Sequence, residues 1–253
     1  LDLQLLDKHF FEVKKKAIAD LLINEGVRMD GRKPHEIRPL SMSVDYLPAT
    51  HGSALFTRGE TQSLTTITLG GKLDEQLIDS VTLTGSQKVM LHYNFPAFST
   101  GEVRPARGPS RREVGHANLA LNGILPLLPA DYPYTIRAVS EILSSNGSTS
   151  MAALTGFSLA ATDAGIPLQR HVTGIAMGRA SSQGKKVILS DILGDEDFSG
   201  EMDFKLTGTE KGFTACQADF KALDLTIDDI AQTLSQARQG ILHILEKMNQ
   251  TLP

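Results

Sequence analysis

Five carboxylates crowd one short stretch of this chain: Asp195, Glu196, Asp197, Glu201 and Asp203 all fall within residues 194–205, which end in Lys205. The run before them, residues 187–192, is apolar and partly β-branched and reads as a strand. Alternation resumes at Met202, so the acidic segment is expected to connect two strands. On the returning strand Asp203 and Lys205 are two positions apart and leave the same face. A bend at Ser199-Gly200 would fold Asp197 over that face, bringing two carboxylates and an ammonium to one small volume. Oxygen donors of this kind suit Mg²⁺ or Mn²⁺, with Asp197 and Asp203 as the candidate ligands. The plainer alternative is a solvated acidic turn. A calcium loop is excluded: Asp195, Asp197 and Gly200 match EF-hand positions 1, 3 and 6, but Leu206 stands at position 12, where a bidentate Glu is required.

Two further stretches could hold an anion. Residues 96–110 form a long connection with three prolines and no periodicity. It carries Arg104 and Arg107, with Arg111 and Arg112 just beyond, against the single acid Glu102. Guanidinium groups without matching acids suit phosphate, which they pair bidentately. His116 follows on a helix expected over residues 112–125, either packed there or facing a ligand. The second stretch is residues 144–151, Ser-Ser-Asn-Gly-Ser-Thr-Ser-Met, opening an Ala-rich helix that runs to about residue 164. Hydroxyls of Ser148, Thr149 and Ser150 beside free backbone N–H groups would cradle a phosphate. Ordinary N-capping is the alternative. Arg58, at a turn between two strands, is either a surface charge or a ligand contact.

The elements that must position these groups follow from periodicity. Apolar residues Leu6, Phe10, Val13, Ala17 and Leu21 mark a first helix, stopped by Gly26. Lys14, Lys15 and Lys16 on it read as a solvated face. A basic, turn-rich loop covers residues 28–34. Strands are expected over residues 52–56, 61–69, 88–95, 134–143, 172–177, 187–192 and 213–220, and a last helix over residues 226–249 with Asp229 in a capping box. With 253 residues, 41% apolar and 21% charged, the chain can bury a substantial core. A net charge of −4 argues against wrapping nucleic acid with the whole surface but allows a local basic groove. Cys216, the only cysteine, is expected to be a small buried residue on a strand, and a chain without internal disulfides suits a reducing compartment. Residues 142–162 carry no charge but are too rich in Ser, Thr, Asn and Gly for a membrane span. No signal peptide is visible, and a start inside an apparent helix suggests a fragment or processed chain. The P-loop, GxSxG and HExxH patterns do not occur.

Residues 51–62 (His-Gly-Ser-Ala-Leu-Phe-Thr-Arg-Gly-Glu-Thr-Gln), Phe95-Pro96, residues 111–116 (Arg-Arg-Glu-Val-Gly-His), residues 145–151 and residues 194–205 stand in an order that resembles polynucleotide phosphorylase of the bacterial type. The resemblance is to its second RNase PH-like domain and covers nearly all of the chain from about Arg28. It implies an α+β, RNase PH-like fold (ribosomal S5 domain 2-like), with mixed β-sheets packed with α-helices, over residues 28–253. Residues 1–27 then resemble the end of the helical segment joining the family's two halves.

The reaction implied is phosphorolysis: inorganic phosphate attacks the 3′-terminal phosphodiester of RNA and releases nucleoside diphosphates, reversibly. By position in the motifs, Asp197, Asp203 and Lys205 fall on catalytic and metal-binding residues. Ser148, Thr149 and Ser150 fall on the phosphate-binding run, and Arg111, Arg112, His116 and Arg58 on residues near the RNA 3′ end. Physically, phosphate needs no base to become a nucleophile; it must be held in line against a like-charged diester. A divalent ion on Asp197 and Asp203 would offset growing negative charge, and Asp203 or a water on that ion would protonate the leaving oxygen. The resemblance further implies a homotrimeric ring, RNA degradosome partners, no membrane and a bacterial cytoplasmic setting. Thr149 replaces the more usual serine, while Ser110 and Ala117 stand where glycine is common. The first RNase PH-like half, and the KH and oligonucleotide-binding-fold domains, are not in this chain. The rival expectations are a non-catalytic RNA-binding or scaffold subunit of an exosome-like ring, and a free-standing enzyme trimming transfer RNA. A scaffold would have no need for the Asp197/Asp203/Lys205 set.

Overall fold

Helical and strand periodicities along the chain resolve into five α-helices, three short 3-10 turns and eleven strands among the residues described by the computed structural model, which are 3–79, 84–105 and 108–252. In chain order they are α1 (Leu3–Glu25), β1 (Leu40–Val44), β2 (Gly52–Arg58), β3 (Thr61–Gly70), β4 (Gln76–Asp79), β5 (Thr84–Gln87), β6 (Val89–Asn94) and α2 (Arg111–Ile124). There follow β7 (Thr135–Ser144), α3 (Thr149–Asp163), β8 (Thr173–Ser182), β9 (Lys185–Ser190), α4 (Gly194–Ser199), β10 (Met202–Gly208), β11 (Phe213–Phe220) and α5 (Ile227–Thr251). Arg107 of the arginine loop lies outside the described residues.

One sheet has the order β1-β2-β3-β7-β6, with β6 and β7 parallel and every other pair antiparallel. The second, β11-β10-β8-β9, is antiparallel throughout. Helix α3 lies between the two sheets and is buried on every side. Its sequence permits this: Ala152, Ala153, Gly156, Ala160 and Ala161 let the strands approach, and the segment carries no charge before Asp163. Leu154, Phe157 and Leu159 on it join Phe56 and Ile67 of the first sheet and Ile175 and Leu206 of the second in one apolar core.

Two local expectations are corrected, and three strands appear that the sequence did not announce. The acidic segment is not an open turn, since residues 194–199 coil into α4, with Asp195, Glu196 and Asp197 all in its first turn, where negative side chains interact favourably with the helix dipole. Cys216 is exposed rather than buried, because β11 is an edge strand with most of its side chains outside the core. The basic loop after α1 leads into the edge strand β1, and β4 pairs antiparallel with β5; these three strands are too short and polar to show by periodicity.

Candidate active site

Asp203 and Lys205 stand on β10, where they pair in register with Gly178 and Ala176 of β8. Thr207, two positions on, touches Gly123 of α2, so this face of the strand is turned toward α2. The intervening Phe204 and Leu206 go to the apolar core. Small residues opposite leave room for the charged pair, and Lys205 Nζ donates to Asp203 Oδ2 at 2.5 Å with both side chains about one-tenth exposed. The other oxygen, Asp203 Oδ1, is buried without a hydrogen-bond partner. Burial raises the Asp203 carboxyl above the ordinary carboxylate value; Lys205 opposes the rise, and Asp197 adds to it.

The acidic helix α4 is anchored from within and presents Asp197 outward. Glu196 points inward to Arg28, at 2.5 and 2.8 Å, and also accepts from Leu193 N. Asp197 is half-buried and ion-paired to Lys221 just beyond β11, at 3.2 Å. Gly200 turns the chain back into β10: a Cβ there would lie 2.5 Å from Glu196 O, so only glycine closes this bend without a shift.

The hydroxyl run adjoins this helix. Gly194 N donates to Asn146 Oδ1 at 3.2 Å. Gly147, at φ +87°, packs so closely on residues 192–194 that a Cβ would come within 2.5 Å of Ile192 O. Ser148 follows in the left-handed region, at φ 51°, and caps α3 without a side-chain hydrogen bond. A non-glycine residue held in that conformation costs energy that the surrounding bonds must meet. The three hydroxyls then part company. Thr149 Oγ1 is engaged by Tyr93 Oη at 2.5 Å, while Ser148 Oγ and Ser150 Oγ are buried with no partner. Native interiors leave few polar atoms in that state, and these belong to neighbouring residues at one helix start.

Tyr93 of β6 connects the hydroxyl run to α2. Its Oη lies 3.5 Å from His116 Nδ1, and the two rings meet edge to face at 5.5 Å. Burial, with Lys205 and Arg112 nearby, pushes the His116 imidazole down to about 4, so it is neutral at neutral pH. The same burial raises the Tyr93 hydroxyl to about 12, which keeps it a hydrogen-bond donor. Ser110 caps α2 by accepting from Glu113 N at 3.2 Å while Glu113 accepts from Ser110 N at 2.7 Å, which accounts for serine at that position. Arg111 and Arg112 in the first turn are exposed, and the Arg112 guanidinium lies 5.7 Å over the Phe95 ring.

Arg58 differs from the other candidates. Its side chain is wholly buried and ion-paired to Asp191 at 2.8 Å, and it donates to Ser148 O at 2.9 Å, so it supports the loop from beneath. Sequence reasoning did not single out Asp191, which also receives Arg38 (2.7 and 2.8 Å) and Arg32 (3.4 Å). Nor did it single out Tyr93, Arg28, Arg38 or Lys221. Asp191 sits at the end of an apolar strand, and only that unexplained charge could have drawn notice.

Two carboxylates, one with a partnerless buried oxygen, are hard donors of the kind Mg²⁺ or Mn²⁺ takes when substrate phosphates complete its shell. Among the described residues no group of three or more His, Cys, Asp or Glu could hold a metal alone. The residues therefore fit an ion shared with an anionic substrate. No helix among them is long and apolar enough to cross a membrane.

A sequence profile described as "3′ exoribonuclease family, domain 1" (RNase_PH) matches residues 36–167. Curated relatives named polyribonucleotide nucleotidyltransferase are 58% identical over 97% of the chain in Amoebophilus asiaticus, 56% over 99% in Cytophaga hutchinsonii and 53% over 95% in Thermotoga neapolitana. The chain spans only about a third of their length, 34–36%. In fold it is similar to the crystal structure of rice (Oryza sativa) Rrp46, with a TM-score of 0.69, 18% identity, and coverage of 89% of this chain and all of that one.

Proposed function

The chain belongs to the 3′ exoribonuclease family of RNase PH domains, and on that premise we propose that it carries the phosphorolytic site of a polyribonucleotide nucleotidyltransferase. Inorganic phosphate would attack the 3′-terminal phosphodiester of RNA and release a nucleoside diphosphate, and the reverse reaction would polymerise diphosphates. The observation that carries this reading is the coincidence of Ser148 Oγ, Ser150 Oγ and Asp203 Oδ1 as buried atoms without partners on the two segments that meet at Asn146 and Gly194.

Ser148, Ser150 and the free N–H groups of the α3 start would hold the attacking phosphate in line. Thr149 would act through Tyr93, fixing the start of the helix against β6. Arg111 and Arg112, exposed at the start of α2, would receive the RNA backbone, with neutral His116 offering a hydrogen bond beside them. Asp203 and Asp197 would hold Mg²⁺ or Mn²⁺, which when bound supplies positive charge where the phosphoryl oxygens gather negative charge. Lys205 would fix the orientation of Asp203, which stands as the candidate group beside the leaving 3′ oxygen. Arg58 is assigned to the support of the phosphate loop, away from RNA.

We read residues 28–253 as one catalytic unit and residues 1–27 as the end of a helical linker. A homotrimeric ring in the full-length protein, degradosome partners and a bacterial cytoplasmic setting belong to the same proposal. Incubating the chain with oligo(A), inorganic phosphate and Mg²⁺ or Mn²⁺ tests it. ADP is expected, released only with phosphate, and Asp203→Asn should lower that release by about 10²–10³-fold, the usual cost of a preorganised charge. AMP formed without phosphate would indicate hydrolysis and overturn the reading.

A further inference from the structure

Each carboxylate of the site has a lysine of its own. Lys205 holds Asp203 Oδ2 from within the second sheet, with its side chain one-tenth exposed. Lys221 holds Asp197 from the rim: Nζ lies 2.5 Å from Asp197 O and 3.2 Å from Asp197 Oδ1, and its side chain is 36% exposed. Lys221 is itself fixed at the backbone, where its N–H donates to Glu201 O at 2.9 Å, so its root stays at the site while its head can swing. The two carboxylates and two ammonium groups sum to zero charge. A divalent ion gains little from a neutral cluster, and an anionic phosphate chain gains little from it either.

We propose that Lys221 is an exchangeable counter-ion: it neutralises Asp197 in the substrate-free site, and when a divalent ion takes Asp197 the released ammonium turns to the RNA phosphates. Lys205 cannot take this part, because leaving Asp203 would strand a buried charge on each side. Lys221 can, because its Nζ moves into water at small cost and a surface ion pair of this exposure is weak. Lys221 is thus a positioning residue that couples ion binding to substrate binding. It differs from Arg111 and Arg112, which have no acid to give up among the described residues.

The inference rests on the phosphorolytic reading for the identity of the substrate, but its ion arm can be measured without RNA or activity. Mn²⁺ binding to the purified chain, followed by electron paramagnetic resonance, should be several-fold tighter for Lys221→Met than for the unsubstituted chain, since a competing cation is gone. Under the same ion concentration, the KM for oligo(A) in phosphorolysis should rise several-fold, and Lys221→Arg should restore both quantities. Unchanged or weaker Mn²⁺ binding in Lys221→Met would overturn the exchange, leaving Lys221 a structural clamp on α4. Tighter Mn²⁺ binding with an unchanged KM would overturn the transfer to RNA. Absence of phosphate-dependent ADP from the unsubstituted chain would instead count against the phosphorolytic reading and leave the Mn²⁺ comparison standing.

Discussion

Two clusters of arginine and acid lie on either side of the hydroxyl loop, and they are built to opposite ends. Beneath it, Asp191 is fully buried and met by Arg38 and Arg58, with Arg32 at longer range, while Arg28 and Glu196 form a second buried pair. Arg28 also donates to Ser190 O and Asp191 O, and Arg58 to Gly147 O and Ser148 O, so the charges are tied into the backbone they support. Above the loop, Asp203 keeps one oxygen without a partner, Ser148 and Ser150 keep their hydroxyls free, and Arg111 and Arg112 face solvent. Arg58 Nη1 has no hydrogen-bond partner either, so the contrast is between the carboxylates: Asp191, met by guanidinium groups on both oxygens, holds a shape, whereas Asp203 Oδ1 and the two serine hydroxyls are left open on the face assigned to the substrate. Residue type does not separate the two carboxylates; satisfaction does.

The strongest way to break this contrast is to remove Asp191. Asp191→Ala should lower unfolding free energy by about 3–5 kcal/mol, because it strands buried guanidinium groups, and a chemical denaturation curve would register it directly. A loss within the range of an ordinary surface substitution would mean that the arginines are held by something other than this carboxylate.

Ser150→Ala is the opposite test. Its hydroxyl has no partner to lose, so the melting temperature should hold or rise slightly, while the KM for inorganic phosphate should rise by about tenfold, in line with the loss of one hydrogen bond to an anion. A clear drop in melting temperature would place Ser150 among the structural groups and erase the distinction.

The smallest effects are in pH. Asp191 is held below the ordinary carboxylate range by its arginines, so its contribution to stability is present above that range and is lost as pH falls through its folded value. Asp203 is raised, so its contribution is present in acid and is lost as pH rises through its folded value. His116 is pushed down to about 4, so folding is disfavoured as pH falls from the ordinary histidine range toward 4. Denaturation midpoints followed between pH 3 and 7, with an NMR titration of His116, should find a flatter acid limb in Asp191→Asn and a steeper one in Asp203→Asn, ~1 kcal/mol or less apart. Equal slopes in the two variants would show that the two carboxylates are not differently held.

Much of this arrangement was legible before folding. The alternation of β10 places Asp203 and Lys205 on one face whatever the rest of the chain does, since a strand has a period of two. The Ala-rich stretch of α3 announces a helix, and Ser148 to Ser150 announce its start, but only the two sheets packed against it show that it is buried on every side. Arg58 was misread because a turn in sequence is usually a surface, whereas here the side chain folds under the next loop to reach Asp191, far along the chain. Cys216 was misread because alternation does not say which edge of a sheet is left uncovered.

What the sequence determined by itself is the list of chemical groups and their local direction, because backbone periodicity and side-chain chemistry act within a few residues. What the tertiary structure decided is which of those groups are satisfied. Asp191 and Asp203 are the same residue twelve positions apart, yet one is tied to arginines brought from residues 32, 38 and 58, and the other keeps an oxygen without a partner. That division depends on contacts between distant segments, and no local pattern encodes it.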